Sequence, residues 1–238
     1  MRLWRLMIFV LALAPIGASS CIADESPQSV ELFNGKDLSG WTKRGGDAAY
    51  SVEDGVIVGR SKPNTSNTFL ATDKDYGDFE LNLEFKIDDP TFNSGVQIRS
   101  HARPEKDGER VYGYQVEIDP RTDRGWTAGL YFEAGSEARD AGWLNDLADN
   151  EAARNAFKLG QWNHLRIVAN GRHIQTWING VPATDFTDTD DSAFIPSGFI
   201  ALQVHSVGEA KEPKEVSWRN IQLTDFGDPA AAAEAYGP

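Results

Sequence analysis

The feature that most constrains this chain is a series of short segments in which apolar and polar residues alternate. In FELNLEFKI (79–87), every second residue is Phe, Leu or Ile, and the residues between them are polar. Side chains on a β-strand point alternately to opposite faces of a sheet, so a segment of this kind has one face to bury. The same reasoning predicts strands over residues 50–60, 94–100, 114–119, 129–133, 162–171, 172–180, 198–206 and 215–223.

Tight-turn signals accompany two of these segments. Glu53-Asp54-Gly55 and Asn170-Gly171 contain the Asp-Gly and Asn-Gly pairs that favour short hairpin turns. Many short strands with such turns predict an all-β sandwich or barrel rather than a parallel α/β sheet. The chain has 238 residues, 40% of them hydrophobic, which is sufficient for one large domain of this type.

Two stretches break the alternation. Residues 134–160 are rich in Ala, Asp, Glu and Asn, and we interpret them as a surface excursion with a short helix over residues 149–157. A long excursion on a rigid scaffold can frame a binding site or be plain decoration. Residues 225–238 are predicted to be a flexible tail.

The N-terminus indicates export. Arg2 and Arg5 precede an apolar run that is too short to span a bilayer, and small residues follow it. We predict a signal peptide over residues 1–20 and a tether over residues 21–30. Cys21 is the only cysteine and stands where a bacterial lipoprotein signal places its lipidated residue; simple cleavage nearby is the alternative. The expected location is the periplasm, or a lipid anchor at the cell envelope.

The charge of the chain restricts its partners. The formal net charge is −13 at pH 7. Such a chain repels phosphate backbones and anionic lipid headgroups, so we expect no nucleic-acid partner, and contact with a membrane only through a lipid anchor. A neutral ligand is a better match to this charge.

The polar sides of several predicted strands share an unusual composition. Lys and Glu usually dominate an exposed sheet face, whereas glutamine recurs here beside arginine, histidine, acids and tyrosine. Planar donors and acceptors beside an aromatic ring suit the hydroxyls and C–H faces of a sugar. By strand parity, the side chains that face away from the core include Glu84, Lys86, Gln97, Arg99, Gln115, Glu117, Asp119, Tyr131, Gln203 and His205.

Several motifs together resemble the 3-keto-disaccharide hydrolase family. In chain order they are ELFNGKDLSGW (31–41), FELNLEFKI (79–87), NSGVQIRS (93–100), GYQVEID (113–119), GLY (129–131), GQWNHLRIVANGRHIQTWING (160–180), GFIALQVHS (198–206) and SWRNIQL (217–223). The resemblance covers residues 29–224. It implies a concanavalin A-like jelly-roll sandwich of two antiparallel sheets.

The resemblance also implies activity on glycosides that are already oxidised to a ketone at sugar carbon 3. Members of the family cleave 3-keto-glycosides, and relatives hydrate the derived 3-keto-glucal. The chain departs from the family in the excursion at residues 134–160, which leaves the size of the substrate open.

A conventional glucanase is disfavoured. Retaining glucanases of this fold carry Glu-x-Asp-x-Glu or Glu-x-Asp-x-x-x-Glu on a strand, and VEIDPRTD is superficially similar. The second glutamate would fall on Arg121 in the shorter form and on Asp123, beyond Pro120, in the longer form. Direct hydrolysis needs two carboxyl groups on either side of the glycosidic bond, and here the second is in doubt.

Cleavage of a 3-keto-glycoside by elimination needs a base, an acid and a group that stabilises the enolate. We predict Glu117 or His205 as the base, Asp119 as the residue that positions or tunes its partner, and Arg99 as the stabiliser of the enolate. The predicted substrate-binding residues are Gln97, Gln115 and Gln203 for hydroxyls, Tyr131 or Trp126 for stacking, and Glu84 and Lys86 on the same polar face.

Three alternatives stay open. Glu117, Asp119 and His205 could together hold a divalent metal as a Lewis acid, although no other cofactor is indicated. A non-catalytic, lectin-like module would use the same face and would depend on its aromatic residues rather than its acids. An interaction domain is the third interpretation.

Overall fold

The computed structural model describes residues 27–106, 108–121, 123–210 and 212–227. It is a jelly-roll sandwich of two antiparallel sheets with one short helix in the described ranges. The elements are β1 (Gln28–Glu31), β2 (Trp41–Gly45), β3 (Ala49–Glu53), β4 (Val56–Arg60), β5 (Thr68–Tyr76), β6 (Asp78–Ile87), β7 (Ser94–Glu105), β8 (Gly108–Ile118), β9 (Leu130–Glu133), β10 (Gly142–Asn145), α1 (Glu151–Ala156), β11 (Asn163–Asn170), β12 (His173–Ile178), β13 (Val181–Thr187), β14 (Gly198–Val204) and β15 (Glu215–Gly227).

The strands divide into a first and a second sheet. The first sheet has the order β13-β12-β11-β6-β15-β4-β3, and β1 pairs with β15. The second sheet has the order β10-β9-β8-β7-β14-β5-β2. The predicted fold class, an all-β sandwich of two antiparallel sheets with a short helical insertion, is therefore confirmed.

Alternation builds the core as the sequence predicts. In β6 the apolar residues at every second position are buried and the polar residues between them are partly exposed. Val96 and Ile98 of β7, together with Val116 of β8, supply buried apolar side chains from the second sheet. The two apolar faces pack on each other, which removes most of the apolar area of both sheets from water.

Two hairpins follow from their turn residues. Asp54 and Gly55, with φ of 50° and 78°, form the two-residue loop between β3 and β4, as predicted. Asn179 and Gly180, with φ of 49° and 81°, form the loop between β12 and β13. Positive φ at both loop positions is the geometry that Asp-Gly and Asn-Gly adopt most readily.

The second sheet is buried on both faces at its centre. Every residue of β14 is buried, including Gln203, and Gln97 on β7 and Gln115 on β8 are at most 1% exposed. These glutamines share the face opposite the core. That face is therefore covered rather than solvated.

The excursion at residues 134–160 contains more structure than predicted. Its helix α1 confirms the helix predicted over residues 149–157, and the Asn150 side chain caps it by accepting a hydrogen bond from the amide of Ala153, at 3.1 Å. The excursion also supplies β10, which pairs with β9 at the edge of the second sheet. The insertion thus extends the sheet that carries the glutamines.

Some strands and boundaries differ from the sequence prediction. The alternation did not indicate β2, β5 or β13; in β5 an apolar run is followed by a charged run, and β13 contains Pro182. The predicted tether ends in strand β1, and β15 continues to Gly227, inside the predicted tail. The signal peptide over residues 1–20 and Cys21 lie outside the described residues.

Candidate active site

A cavity of about 610 Å³ opens on the polar face of the second sheet. It lies where β8, β9 and the end of β14 come together with the loop before β7. Its lining combines two acids, three basic side chains, three aromatic rings and one histidine. The lining residues are Thr91, Phe92, Asn93, Gln115, Glu117, Arg121, Arg124, Tyr131, Glu133, Trp143, His205, Ser206, Val207, Ala210 and Lys214.

Glu117 is the acid at the floor of the cavity. It lies near the end of β8 and is only 5% exposed. Its carboxyl group accepts hydrogen bonds from Asn93 Nδ2 at 2.8 Å and from Gln115 Nε2 at 2.7 Å. Burial raises the pKa of Glu117 to about 7, even though these two hydrogen bonds lower it. The carboxyl group can therefore release or take up a proton near neutral pH.

The three glutamines form a relay that ends at Glu117. Gln97 and Gln203 donate from Nε2 to Gln115 Oε1, at 2.7 and 2.9 Å. Because that oxygen receives two donors, the Gln115 nitrogen must point to Glu117. Ser100 fixes the first member by donating to Gln97 Oε1 at 2.8 Å.

This relay corrects part of the sequence prediction. Gln115 lines the cavity, as predicted, but Gln97 and Gln203 do not, so neither is placed to hold a sugar hydroxyl. Both are held by Gln115 instead. Gly95 makes the arrangement possible, because a Cβ at that position would lie 2.7 Å from Gln115 Cδ.

His205 lies just beyond β14 and lines the cavity, as predicted. Its Nδ1 is 2.8 Å from the carbonyl oxygen of Ser206. A carbonyl oxygen only accepts hydrogen bonds, so Nδ1 carries the proton and Nε2 is the nitrogen that can gain or lose one. The backbone amide of Ser206 donates to Asn67 Oδ1 at 2.9 Å, which fixes this segment.

Glu133 is a second buried acid in the cavity, and the prediction from sequence did not select it. Burial raises its pKa, against a hydrogen bond from Asn67 Nδ2 at 3.2 Å. Asn67 thus connects Glu133 to the segment that carries His205. Glu133 lies two residues after Tyr131 on β9, so strand parity places it on the same polar face, and that was the available signal.

Asp119 lies behind the cavity wall rather than in the cavity. It is fully buried and accepts hydrogen bonds from Nε of Arg121 at 2.9 Å and from Nε of Arg124 at 2.6 Å. Its predicted role as a positioning residue fits these contacts, although the groups that it holds are arginines. Its negative charge also contributes to the raised pKa of Glu117.

The metal ligand set suggested by the sequence does not come together. Two guanidinium groups occupy the carboxylate of Asp119, and positive charge at that position opposes a cation. Within the described ranges, no group of three or more His, Cys, Asp or Glu side chains is arranged to hold a metal ion.

An aromatic wall closes one side of the cavity. Tyr131 lines it as predicted, and Trp143 of β10 packs edge-on against Tyr131, with ring centres 5.3 Å apart. Trp126 does not line the cavity; it supports Trp143 from behind, edge-on at 4.7 Å. The stacking surface predicted for Trp126 therefore belongs to Trp143, a residue of the excursion that the sequence analysis did not select.

Arg99 is a structural residue, which corrects its predicted catalytic role. Its guanidinium donates to the carbonyl oxygens of Gly77 and Gly171, at 2.7 and 2.6 Å, and to Asp78 at 2.6 Å. The pairing of β7 with β8 shifts register after Ile98, and Arg99 has a positive φ of 45°. This irregularity ends the strict alternation and turns Arg99 away from the cavity.

Glu84 and Lys86 also lie outside the site. They belong to β6 of the first sheet, so they cannot share a face with the glutamines of the second. Glu84 accepts a hydrogen bond from Arg219 at 2.6 Å, and Lys86 lies 3.6 Å from Asp88. Their predicted role in substrate binding is wrong because parity identifies the face of a strand but not its sheet.

The remaining lining residues come from loops and strand edges, where the alternation of a strand does not predict the direction of a side chain. Asn93 precedes β7, Arg124 lies between β8 and β9, and Lys214 precedes β15. Lys214 Nζ lies 3.0 Å from Asp89 and also donates to Thr91.

In the part of the chain that the structure describes, no helix is long and apolar enough to cross a membrane.

Solved structures with the same architecture include proteins connected with carbohydrates. A predicted glycosyl hydrolase of Parabacteroides distasonis ATCC 8503 is 20% identical, covers 83% of this chain and 93% of its own, and has a TM-score of 0.57. A galectin-like protein of unknown function from Bacillus subtilis is 11% identical, with coverages of 79% and 90% and a TM-score of 0.57. At such identities the likeness shows the fold alone.

A carbohydrate-binding module from Bacillus subtilis is 17% identical, with coverages of 78% and 96% and a TM-score of 0.50. A comparison with curated protein sequences gave no match. Family membership is decided by the sequence itself, because residues 28–224 match the domain described as 3-keto-alpha-glucoside-1,2-lyase-like. The chain therefore belongs to the 3-keto-alpha-glucoside-1,2-lyase-like family, a carbohydrate-related family.

Proposed function

We propose that the cavity is the active site of an enzyme that cleaves 3-keto-glycosides by elimination followed by hydration. The observation that carries this proposal is Glu117, a buried carboxyl group with a pKa of about 7, held by two amides at the floor of a cavity. Family membership supplies the substrate class. A sugar ketone at carbon 3 acidifies the hydrogen on carbon 2, so a carboxylate of this basicity is suited to remove it.

The elimination transfers two protons and breaks two bonds of the sugar, the C–H bond at carbon 2 and the C–O bond at carbon 1. Glu117 takes the proton from carbon 2, the electron pair forms the bond between carbons 1 and 2, and the bond from carbon 1 to the leaving oxygen breaks. The leaving oxygen takes a proton from an acid, which we assign to Nε2 of protonated His205. Water then adds across the double bond, with its hydroxyl on carbon 1 and its hydrogen on carbon 2.

The enolate that forms during this step needs a positive group near the carbon 3 oxygen. Arg99 does not reach the cavity, and we assign the role to Lys214. Asp89 and Thr91 hold its ammonium group on the side of the cavity where Asn93 contacts Glu117. An ammonium has three N–H groups, and these two contacts leave one for the substrate.

The roles of Glu117 and His205 could be reversed, and leaving groups of different acidity separate the two assignments. If His205 is the acid, His205→Ala should lose turnover of alkyl 3-keto-glucosides but largely keep turnover of the nitrophenyl analogue, whose leaving group needs no proton. If His205 is the base, both substrates should be affected equally. His164→Ala is the matched control, because His164 is exposed and belongs to the first sheet.

The direct test offers the protein a 3-keto-disaccharide and the unmodified disaccharide and identifies the products. Release of a monosaccharide from the keto form alone supports the proposal, and a glucal or a ketosugar as the product would separate elimination alone from elimination with hydration. Binding without release would favour the lectin-like alternative, for which the aromatic wall of Tyr131 and Trp143 is the supporting feature.

We also propose that the protein is exported and attached to the cell envelope through Cys21, on the strength of Arg2, Arg5 and the apolar run that follows them. Cell fractionation of the wild type and of Cys21→Ala tests this. Release of the variant into the soluble periplasmic fraction is expected. An identical distribution of the two proteins would favour simple cleavage.

A further inference from the structure

Arg121 and Arg124 form a pair of cationic side chains fixed by one buried acid. Asp119 binds Nε of each, and its own side chain is fully buried, whereas the side chains of Arg121 and Arg124 remain 42% and 28% exposed. Both arginines line the cavity. Within the described ranges no hydrogen bond reaches Nη1 or Nη2 of Arg124. The outer edge of that guanidinium therefore retains its donors.

The two arginines of this wall share a single acid at ion-pair distance, Asp119. The further acids that act on Arg121, Asp123 and Glu117, attract it from outside ion-pair distance. The chain as a whole carries −13, so two arginines side by side on one cavity wall run against its general composition. Positive charge in a partly enclosed cavity attracts an anion and is screened less than charge on an open surface.

Aromatic contacts fix the orientation of Arg124. Its Cζ lies 4.8 Å from the ring centre of Trp126 and 5.1 Å from that of Trp143. Together with Asp119, these rings hold the guanidinium on three sides. A planar guanidinium that is already oriented loses little freedom when it binds a planar oxyanion through two parallel hydrogen bonds.

We propose that Arg121 and Arg124 form an anion subsite, and that the preferred ligand is a glycoside that carries a carboxylate on the sugar or on its leaving group. This inference rests on the proposed function for the identity of the glycoside, but the anion subsite itself can be tested without turnover. Trp143 belongs to the same wall, so the carboxylate would be bound beside the surface that receives a sugar ring.

Equilibrium binding provides the first test. Methyl glucuronide and methyl glucoside differ only in the carboxylate that replaces the hydroxymethyl group, and calorimetry compares their affinities for the whole protein. We expect the wild type to prefer the glucuronide by ~10-fold or more, since a hydrogen bond to a charged group contributes that much. We expect Arg124→Gln to lose this preference, and added salt to weaken it.

Arg166→Gln is the matched control. Arg166 also contacts a carboxylate, Glu80 at 2.7 Å, and a tryptophan, Trp177 at 4.2 Å, but it lies on the first sheet outside the cavity. The preference for the glucuronide should survive this change. Two results would overturn a subsite for a carboxylate on the sugar. One is equal affinity of the wild type for both glycosides, and the other is loss of the preference for the glucuronide in Arg166→Gln as well.

Turnover provides the second test and covers a carboxylate on the leaving group. The substrates are 3-keto-glucosides of carboxyphenol and of the matching carbamoylphenol. Arg124→Gln should lower kcat/KM for the carboxylate substrate alone, whereas Glu117→Gln should lower it for both. If neither substrate is cleaved by the wild type, the proposed function fails, and binding of the two compounds then decides the subsite. The anion subsite would be overturned if the wild type did not discriminate, by binding or by turnover, between carboxylate and neutral compounds, whether the carboxylate lies on the sugar or on the leaving group. Preference for a sulfated analogue over the carboxylate would show that the ligand class is wrong.

Discussion

The polar faces of the two sheets look alike in sequence and differ in every physical respect. On the first sheet, Glu80 and Glu84 of β6 pair one to one with Arg166 and Arg219, whose guanidinium groups also cover Trp177 and Trp162. These groups are partly exposed, and their charges cancel locally. Each of these two acids therefore has a cationic partner on the same face.

On the second sheet, three glutamines are joined by hydrogen bonds that lead to the buried acid Glu117. Gln115 accepts hydrogen bonds from two glutamines and donates one hydrogen bond to Glu117. Two amides do not compensate fully for the burial of a carboxylate, so the pKa of Glu117 stays near 7. Balanced ion pairs thus build a surface, whereas a buried acid whose charge is only partly compensated marks a site.

The largest expected effect is on turnover. Glu117→Gln should lower kcat for a 3-keto-glycoside by about 10³-fold, because a general base contributes roughly 10²–10⁴-fold and an amide cannot accept the carbon 2 proton. The side-chain volume is almost unchanged, so folding should be preserved, which circular dichroism can check. Steady-state kinetics with the purified variant is the measurement. Turnover within a factor of three of wild type would remove Glu117 from the mechanism.

The second effect is on stability as a function of pH. The pKa of Glu117 rises from 4.5 to about 7 on folding, so between these values the folded protein holds a proton that the unfolded chain has released. The stabilising contribution is complete below pH 4.5 and is lost as pH rises through 7. The loss amounts to about 3 kcal/mol. Glu117→Gln should therefore gain stability relative to wild type as pH rises from 4 to 8, measured by urea unfolding.

Glu53→Gln is the control with the opposite sign. Hydrogen bonds from Arg60 and Ser51 lower the pKa of Glu53 to about 2, so its contribution is present above the unfolded value of 4.5 and is lost only as pH falls toward 2. The free energy of unfolding of Glu53→Gln should therefore differ from that of the wild type by a constant amount between pH 5 and 8. If the difference between Glu117→Gln and the wild type were also constant over that range, the raised pKa of Glu117 would be contradicted.

The third effect tests the relay that supports Glu117. Gly95→Ala places a Cβ 2.7 Å from Gln115 Cδ, which must shift and give up its hydrogen bond to Glu117. We expect kcat to fall by about 10–100-fold, as for loss of one hydrogen bond to a charged group. Loss of that bond should also raise the pKa of Glu117, which moves the pH–rate profile upward. Gly142→Ala, where a Cβ meets nothing within 4 Å, should leave both the rate and the profile unchanged; equal losses in the two variants would mean that the relay does not matter.

The sequence predicted the strands that alternate, the short helix, and four of the cavity residues: Gln115, Glu117, Tyr131 and His205. It could do so because each lies on or next to a strand with regular parity. Parity failed at Arg99, where a change of register turns the side chain away, and at Glu84, which lies in the other sheet. It could not reach Lys214 or Arg124, whose positions depend on how loops pack after the sheets have formed.

The smallest expected effects belong to the first sheet. Glu84→Gln breaks an ion pair with Arg219 in which both side chains are about one-third exposed. Pairs of this kind contribute less than about 1 kcal/mol, because water screens them and two long side chains lose freedom. Lys86→Ala should cost still less, since its contact with Asp88 is longer and more exposed. Neither change should alter kcat or KM, and urea unfolding combined with steady-state kinetics measures both expectations. A tenfold loss of turnover in either variant would mean that the first sheet contributes to the site after all, and the contrast between the two faces would then have to be abandoned.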